Sequence, residues 1–324
     1  MKLTTTLALL TTLALLLLGF GLKAQEAEHL SPPKTYWQSF SFQQQPNFAK
    51  VAYYRSDSLG YEPTMAEVIS FNKKGHLIQK YTRIFGKYAS ETAHNYVYKD
   101  GKLDSINTLA TAKNFNATQK LHYNANGFLQ KVTATGVYTN FTDTYQYDNN
   151  GMVTAIQRTY QNGSKKQALF DHRKNTVTEI ETSAKGTLTE TVFVYDGDEL
   201  LASFVKGKAV VNLHDNYRRI HFETEINEEP LAYLITLRKV KQENPSAFRN
   251  EIGALRDKKI AIVTFDIPAQ SQNMQGDWTK RLQIDKRFGP QRRLVFRQLN
   301  YADGTQSGST DYDMIFEHKV KNIK

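Results

Sequence analysis

Apolar and aromatic residues between positions 69 and 204 alternate with polar ones at a period of two, and short turns rich in Asp, Asn and Gly interrupt the alternation. The clearest stretch is Tyr145-Gln146-Tyr147-Asp148-Asn149-Asn150-Gly151-Met152-Val153-Thr154-Ala155-Ile156. Successive side chains of a strand point to opposite faces, so Tyr145 and Tyr147 share one face. Asp148 is placed to accept hydrogen bonds from backbone N–H groups of the turn, and Gly151 supplies the positive φ that a four-residue hairpin loop ending in a bulge requires. Val153 and Ile156 open the return strand at a spacing of three, which strict alternation does not accommodate. Either they face opposite sides or a bulge realigns them.

The same unit recurs. Phe71, Gly75 and Leu77 are followed by Tyr98, Gly101, Leu103 and Ile106, then by Tyr123, Gly127, Leu129 and Val132. After the reference copy come Phe170-Asp171 with Asn175 in the glycine position and Val177 and Ile180 behind it, and then Tyr195-Asp196-Gly197 with Leu200 and Phe204. Asn tolerates φ > 0 better than other non-glycine residues, so the exchange is physically sound. The key aromatics stand 23 to 27 residues apart. Self-similarity at such a period means one supersecondary unit stacked on copies of itself.

The Tyr-x-Tyr-Asp-x-x-Gly-x-Leu-x-x-Ile pattern resembles the YD repeat of Rhs-type secreted proteins, and in particular short signal-bearing members from Bacteroidetes whose function is unknown. The likeness covers residues 69–204, and a further copy runs from Phe265-Asp266 through a lengthened loop to Gly276-Asp277-Trp278-Thr279-Lys280-Arg281. It implies a β-hairpin repeat architecture and carries no catalytic residues. The largest proteins of that kind build a β shell around a toxin; this chain has fewer repeats and no separate toxin-like region.

Outside the repeats the pattern is looser. Gln25–Lys34, with Pro32-Pro33, reads as a disordered or extended leader. Alternation of Tyr36, Phe40 and Phe42, and of Val51 with Tyr53, predicts one or two strands before the repeats, with Asp57–Gly60 as a turn. Towards the C-terminus, Val210–Asn212, Tyr217–Glu225, Leu231–Lys239, Lys259–Ile267, Arg281–Phe288, Arg293–Tyr301 and Asp311–Val320 read as strands. One helix is predicted at about 245–257, with Asn244 as N-cap, Pro245 in the first turn and Phe248, Ile252 and Leu255 at helical spacing. The expectation is an all-β antiparallel meander of YD-type β-hairpin repeats, a twisted or curved sheet with one short helix near its C-terminal third. Its divisions are 1–24, 25–68, 69–206 and 207–324.

Residues 1–24 have the layout of a secretory signal peptide: Lys2, an apolar run from Leu7 to Leu18, then Gly19, Gly21 and Ala24. That run is shorter than the ~20 residues that span a bilayer, so no transmembrane segment is expected in the mature chain. There is no cysteine, which removes disulfides, thiol catalysis and a lipid-anchoring cysteine. Without Lys2 and Lys23 the balance is 40 basic against 32 acidic residues, a net charge of +8. Export argues against nucleic acid as the partner of this charge. Acidic glycans and anionic envelope surfaces fit it.

Catalytic signatures are sparse. Gly-x-Ser-x-Gly is absent, and Ser70-Phe71-Asn72-Lys73 matches Ser-x-x-Lys on a strand entering a turn, where the fold of that motif requires a helix. The eight histidines include no His-x-His or His-Glu-x-x-His pair. Asp196, Asp198 and Glu199 crowd one turn and Asp303, Asp311 and Asp313 another, without an EF-hand or RTX spacing. No cofactor or metal is expected. Candidates for a ligand surface are the aromatic column, Tyr98, Tyr123, Tyr147 and Tyr195, and the group Trp278, Lys280 and Arg281, since aromatic faces stack on sugar rings and the cations meet acidic groups. The chain thus reads as a non-catalytic exported protein, periplasmic or extracellular, that binds an anionic glycan or a partner protein of the envelope or serves as a structural component there. The alternative is a secreted polysaccharide hydrolase whose carboxylates are brought together from distant strands.

Overall fold

The computed structural model describes residues 29–322 apart from 41, 56–61, 112–114, 137–139, 197–198, 206–207, 215–217, 226–235, 238, 258–261 and 286–290. Strands follow one another as β1 (Pro46–Arg55), β2 (Pro63–Phe71), β3 (Leu77–Ile84), β4 (Ser90–Lys99), β5 (Lys102–Ala110), β6 (Phe115–Tyr123), β7 (Leu129–Gly136), β8 (Phe141–Tyr147), β9 (Val153–Tyr160), β10 (Lys165–Asp171), β11 (Thr176–Thr182), β12 (Leu188–Asp196), β13 (Glu199–Val205), β14 (Lys208–His214), β15 (Arg218–Glu225), β16 (Ile262–Gln272), β17 (Trp278–Asp285) and β18 (Gln291–Tyr301). Each pairs antiparallel with its neighbours in sequence, a meander as expected. β1 also pairs with β18, from Pro46↔Tyr301 to Arg55↔Arg293, so the hydrogen-bonded ladder returns to its first strand. A two-residue β19 (Gln306–Ser307) joins the end of β18. Among the pairings of β1 to β18 the thinnest are β7–β8, β13–β14 and β15–β16, each with four register pairs.

The register shows how one hairpin sequence builds this curvature. Tyr147 opposes Val153 and Tyr145 opposes Ile156, leaving Thr154 as an extra residue, so a bulge puts Val153 and Ile156 on the same face. The same step occurs at Ile78, Asp104, Gln130 and Leu201, and again at Thr279 in the β16–β17 hairpin. A bulge adds local twist, and one per hairpin bends the sheet in a constant sense. In the reference turn Asp148 Oδ1 accepts hydrogen bonds from the N–H groups of Asn150 and Met152 at 2.9 and 2.8 Å, and Gly151 has φ +78°. Asn175 takes the left-handed conformation at φ 53° as expected. Its hairpin lacks the bulge: Phe170 opposes Val177 and Ala168 opposes Glu179. Consequently Glu179, and not the expected Ile180, is the buried inward residue after Val177.

On the inward face of the repeats lies a continuous apolar stripe with Leu103, Ile106, Leu121, Val132, Tyr145, Ile156, Val177, Phe193 and Leu200. Fully buried members such as Ile156 contribute about 1.5–3 kcal/mol each. The opposite face carries Thr142, Thr144 and Gln146 on β8 and Gln157 and Thr159 on β9, and needs no cover. In the later strands both faces are apolar. Helix α1 (Pro245–Asp257) lays Phe248 and Ile252 over Ala202, Ala209 and Val211, on the side of β13–β14 away from the stripe. Helix α2 (Met314–Val320) lays Phe316 and Val320 over Leu282, Ile284, Leu294 and Phe296 in the same way.

Several expected elements differ. Tyr36–Phe42 is no strand: Trp37–Phe40 forms a 3₁₀ turn and Tyr36 makes a single bridge to His76, because this segment packs across the sheet's inward face and not along its edge. Asp311–Val320 forms no strand. Asp313 instead caps α2 by accepting from the Phe316 N–H at 3.0 Å, and the apolar positions 316 and 320 meet the sheet at helical spacing. Of the strand expected at Leu231–Lys239, residues 236, 237 and 239 are helical, with Leu237 buried against Phe248 and Ile252, so α1 is not the one helix. The turn expected at Asp57–Gly60 and the acidic group at Asp198 lie outside the described residues.

Candidate binding site

Strand alternation carries a second layer of information beneath the aromatic column. The residue four positions before each key aromatic faces inward two steps deeper, and these residues are Glu67, His94, Gln119, Asp143, Lys166 and Thr191. They form a polar belt inside the curved sheet. Asp143 accepts two hydrogen bonds from Arg158, from Nε at 2.7 Å and Nη2 at 2.9 Å, directly across the β8–β9 hairpin. Burial pulls the Arg158 guanidinium down, and the Asp143 carboxylate and Tyr160 together outweigh that fall and hold it above its ordinary value. Arg158 also lies 3.7 Å over the Phe141 ring. Glu179 meets Lys166 at 2.8 Å, Glu67 meets Lys80 at 3.6 Å, and His94 Nδ1 lies 2.9 Å from the Thr108 hydroxyl.

Above this belt a cavity of about 680 Å³ opens, walled by Tyr96, Tyr145, Phe170 and Tyr195 and by Lys80, Gln119, Asp143 and Arg158. The leader forms its remaining side through His29 and Pro32–Lys34. Four backbone contacts lay the end of the leader and the segment that follows it, from Leu30 to Gln43, across the inward face. The Leu30 N–H donates to Glu179 Oε2 at 3.0 Å, the Thr35 carbonyl accepts from the Leu77 N–H at 2.7 Å, the Trp37 N–H donates to the Gly75 carbonyl at 3.0 Å, and the Gln43 N–H donates to Asp277 Oδ1 at 3.1 Å. Within residues 29–34 the chain is thus held to the sheet at Leu30. His29 packs against Phe170 and Phe193, with Nδ1 2.6 Å from the Tyr195 hydroxyl.

Burial, and then the charges of Lys166 and Lys34, lower His29 to about 4; burial and Lys80 lower His94. Both histidines thus sense a positive interior. A base whose folded pKa is depressed adds stability that is complete above its unfolded pKa, near 6.5, and vanishes as the pH falls through the folded value. Stability is expected to decline between pH 6.5 and 4, and His29→Gln to flatten much of that decline in a pH series of urea midpoints. An unaltered slope in the variant would remove His29 as the cause.

The expected ligand-surface residues are not brought together. The hydroxyls of Tyr98, Tyr123 and Tyr147 donate to the carbonyls of Leu77, Leu103 and Leu129 at 2.9, 2.7 and 2.7 Å, each tying one hairpin to the one before it. Of the column, Tyr195 reaches the cavity, beside Tyr96 and Tyr145 from the position two residues earlier in their own repeats. Trp278 and Arg281 face inward on β17, while Lys280 points to the opposite face and pairs with Asp313 at the start of α2. Asp303 bonds Thr305 and Gln44, and Asp311 bonds Ser309, so these acids and Asp313 have separate partners. Among the described residues no group of three or more His, Asp or Glu is arranged to hold a metal ion. Lys80, Asp143 and Arg158 were missed; the constant offset of four residues from the key aromatics was the signal for Asp143.

No family model matches the chain, and no curated protein matches it. Among solved structures, it is similar to a porin-like protein from Bacteroides uniformis, at 12% identity and a TM-score of 0.35, over 79% of this chain and 97% of that one. It is also similar to a TcdB2-TccC3 chain at 10% identity and a TM-score of 0.27, over 51% of this chain and 13% of that one. Among the described residues no helix is long and apolar enough to cross a membrane.

Proposed function

We propose that this is a non-catalytic exported protein of the YD-repeat kind that binds an anionic glycan segment in its interior cavity. The observation that carries the reading is the wall composition: Tyr96, Tyr145, Phe170 and Tyr195 supply ring faces, and the cations Lys34, Lys80 and Arg158 outnumber the acids Asp143 and Asp171 around about 680 Å³, a volume in the usual range for small-ligand sites. Aromatic faces stack on sugar rings and cations meet uronate, sulfate or phosphate substituents. Support for binding over hydrolysis comes from the carboxylates. A glycosidase sets two carboxyl groups on either side of the scissile bond, whereas Asp143, Glu67 and Glu179 are each engaged in an ion pair, with Arg158, Lys80 and Lys166.

The test is calorimetric titration with oligogalacturonate and with a neutral oligosaccharide of equal length. Binding of the anionic sugar alone is expected, weaker in 1 M salt, where the screening length falls to ~3 Å, and weakened about tenfold by Lys34→Ala combined with Lys80→Gln. Equal binding of both sugars, or none of either, would refute anionic-glycan capture. Turnover of the polysaccharide lost on Asp143→Asn would establish a hydrolase instead.

A further inference from the structure

Away from the cavity, Arg281 is a half-buried cation without an ion pair among the described residues. Arg281 lies on the inward face of β17 with its guanidinium carbon 3.4 Å from the centre of the Trp278 ring. Its Nε is closed off from solvent without a hydrogen-bond partner, the one buried side-chain polar atom in that condition among the described residues. The registers set Tyr53 opposite Val295 and Val295 opposite Arg281, so the three form a single row across β1, β18 and β17. At the usual strand spacing the outer two stand about 10 Å apart at the backbone, with the short Val295 between them. The row therefore presents a phenol and a guanidinium flanking an apolar floor.

Three guanidinium groups act on this row. Arg281, Arg293 and Arg297 all act on the Tyr53 hydroxyl against the single carboxylate of Glu67, which is paired with Lys80. Arg297 is matched by Asp277 at 3.4 Å. For Arg281 burial and the neighbouring Arg297 pull the guanidinium down to about 9, with Tyr53 the one group acting in the other direction. A desolvated guanidinium without a partner is unfavourable by itself and is relieved by an anion that brings its own acceptor oxygens.

We propose that Arg281 and Tyr53 form an oxyanion site on the interior face, holding a carboxylate, sulfate or phosphate group between the guanidinium and the phenol hydroxyl. The guanidinium fork offers paired donors to two oxygens of such a group, and its stack on Trp278 fixes the plane in which they point. Tyr53 donates its O–H from the other side. Neither residue lines the cavity described above, so this site stands independently of glycan binding there.

The test follows melting temperature of the full mature chain as inorganic sulfate, inorganic phosphate or glucuronate is added, with chloride at equal ionic strength as reference. At least one of the three is expected to raise the melting temperature by ~2 °C or more at saturation, since a ligand that binds only the folded state stabilises it. A response to sulfate or phosphate identifies a tetrahedral ligand group, and a response to glucuronate identifies a uronic acid. Arg281→Met is expected to abolish the rise, and Arg281→Lys to retain part of it. Tyr53→Phe removes one donor while keeping the packing, and is expected to raise the anion concentration needed by about threefold or more; it carries the test if the Arg281 variants do not fold. The proposal is overturned if none of the anions exceeds chloride, or if the rise is the same in Arg281→Met and Tyr53→Phe as in the native chain.

Discussion

Replacing Asp277 by Ala is expected to destabilise the protein by about 3–5 kcal/mol, read as a lower urea midpoint at constant slope. Asp277 and Arg297 are 2% and 4% exposed, and they join the hairpin between β16 and β17 to β18, the strand that meets β1. The carboxylate accepts from the Tyr301 hydroxyl at 2.9 Å and from the Gln43 N–H at 3.1 Å, so it ties in the segment just before β1 as well. Without it Arg297 keeps its bond to the Trp278 carbonyl at 2.7 Å and its contact with the Trp278 ring, but holds an unmatched charge at a buried position. Burial already pulls Arg297 down to about 10 with Asp277 acting against that fall, so removing the acid deepens the shift. Asp277→Asn keeps acceptor oxygen without charge, and its effect should fall between those of alanine and the native residue. A loss below about 1 kcal/mol for the alanine variant would show that this pair does not hold the junction.

The second large effect is expected at Gly308. Its φ is +73°, and a Cβ built there would stand 2.1 Å from the Arg297 carbonyl oxygen and 3.1 Å from Thr279 Cγ2. Backbone cannot yield as a flexible side chain does, so Gly308→Ala combines left-handed strain with a displacement of β18 where it carries Arg297. A loss of about 2–4 kcal/mol follows. Gly163→Ala is the control: φ is +83° and nothing stands within 4 Å, so strain alone applies, at about 1 kcal/mol. Equal midpoints for the two variants would mean that the close approach at Gly308 is relieved without penalty.

The hairpins were legible because their determinants are local. A side-chain period of two, an acceptor at the turn's first position and a residue able to take positive φ act within twelve residues, and Gly75, Gly101, Gly127, Gly151 and Asn175 all adopt that conformation. The bulge was legible as one of two alternatives, and hydrogen bonding between neighbouring strands selected it. Misreadings occurred where a partner distant in sequence decides the local form. Tyr36–Phe42 and Asp311–Val320 have strand-like apolar spacing, yet the first turns where it meets Phe71 and Tyr301, and the second is helical because Phe296 and Leu282 present a face that residues 316 and 320 cover together.

By itself the sequence determined the unit: hairpins of 23 to 27 residues with aromatic rings on one face, a polar outer face, and an α-helix begun by Asn244 and Pro245. Tertiary structure alone decided that β18 pairs with β1, that Gln43, just before β1, reaches Asp277, and that Lys80, Asp143 and Arg158 line a common cavity. The physical reason is range. Backbone preference and alternation act over a few residues, whereas the meeting of strands more than two hundred residues apart depends on the summed twist of every hairpin between them, and the charge environment of Arg281 on its placement beside β18 and β1.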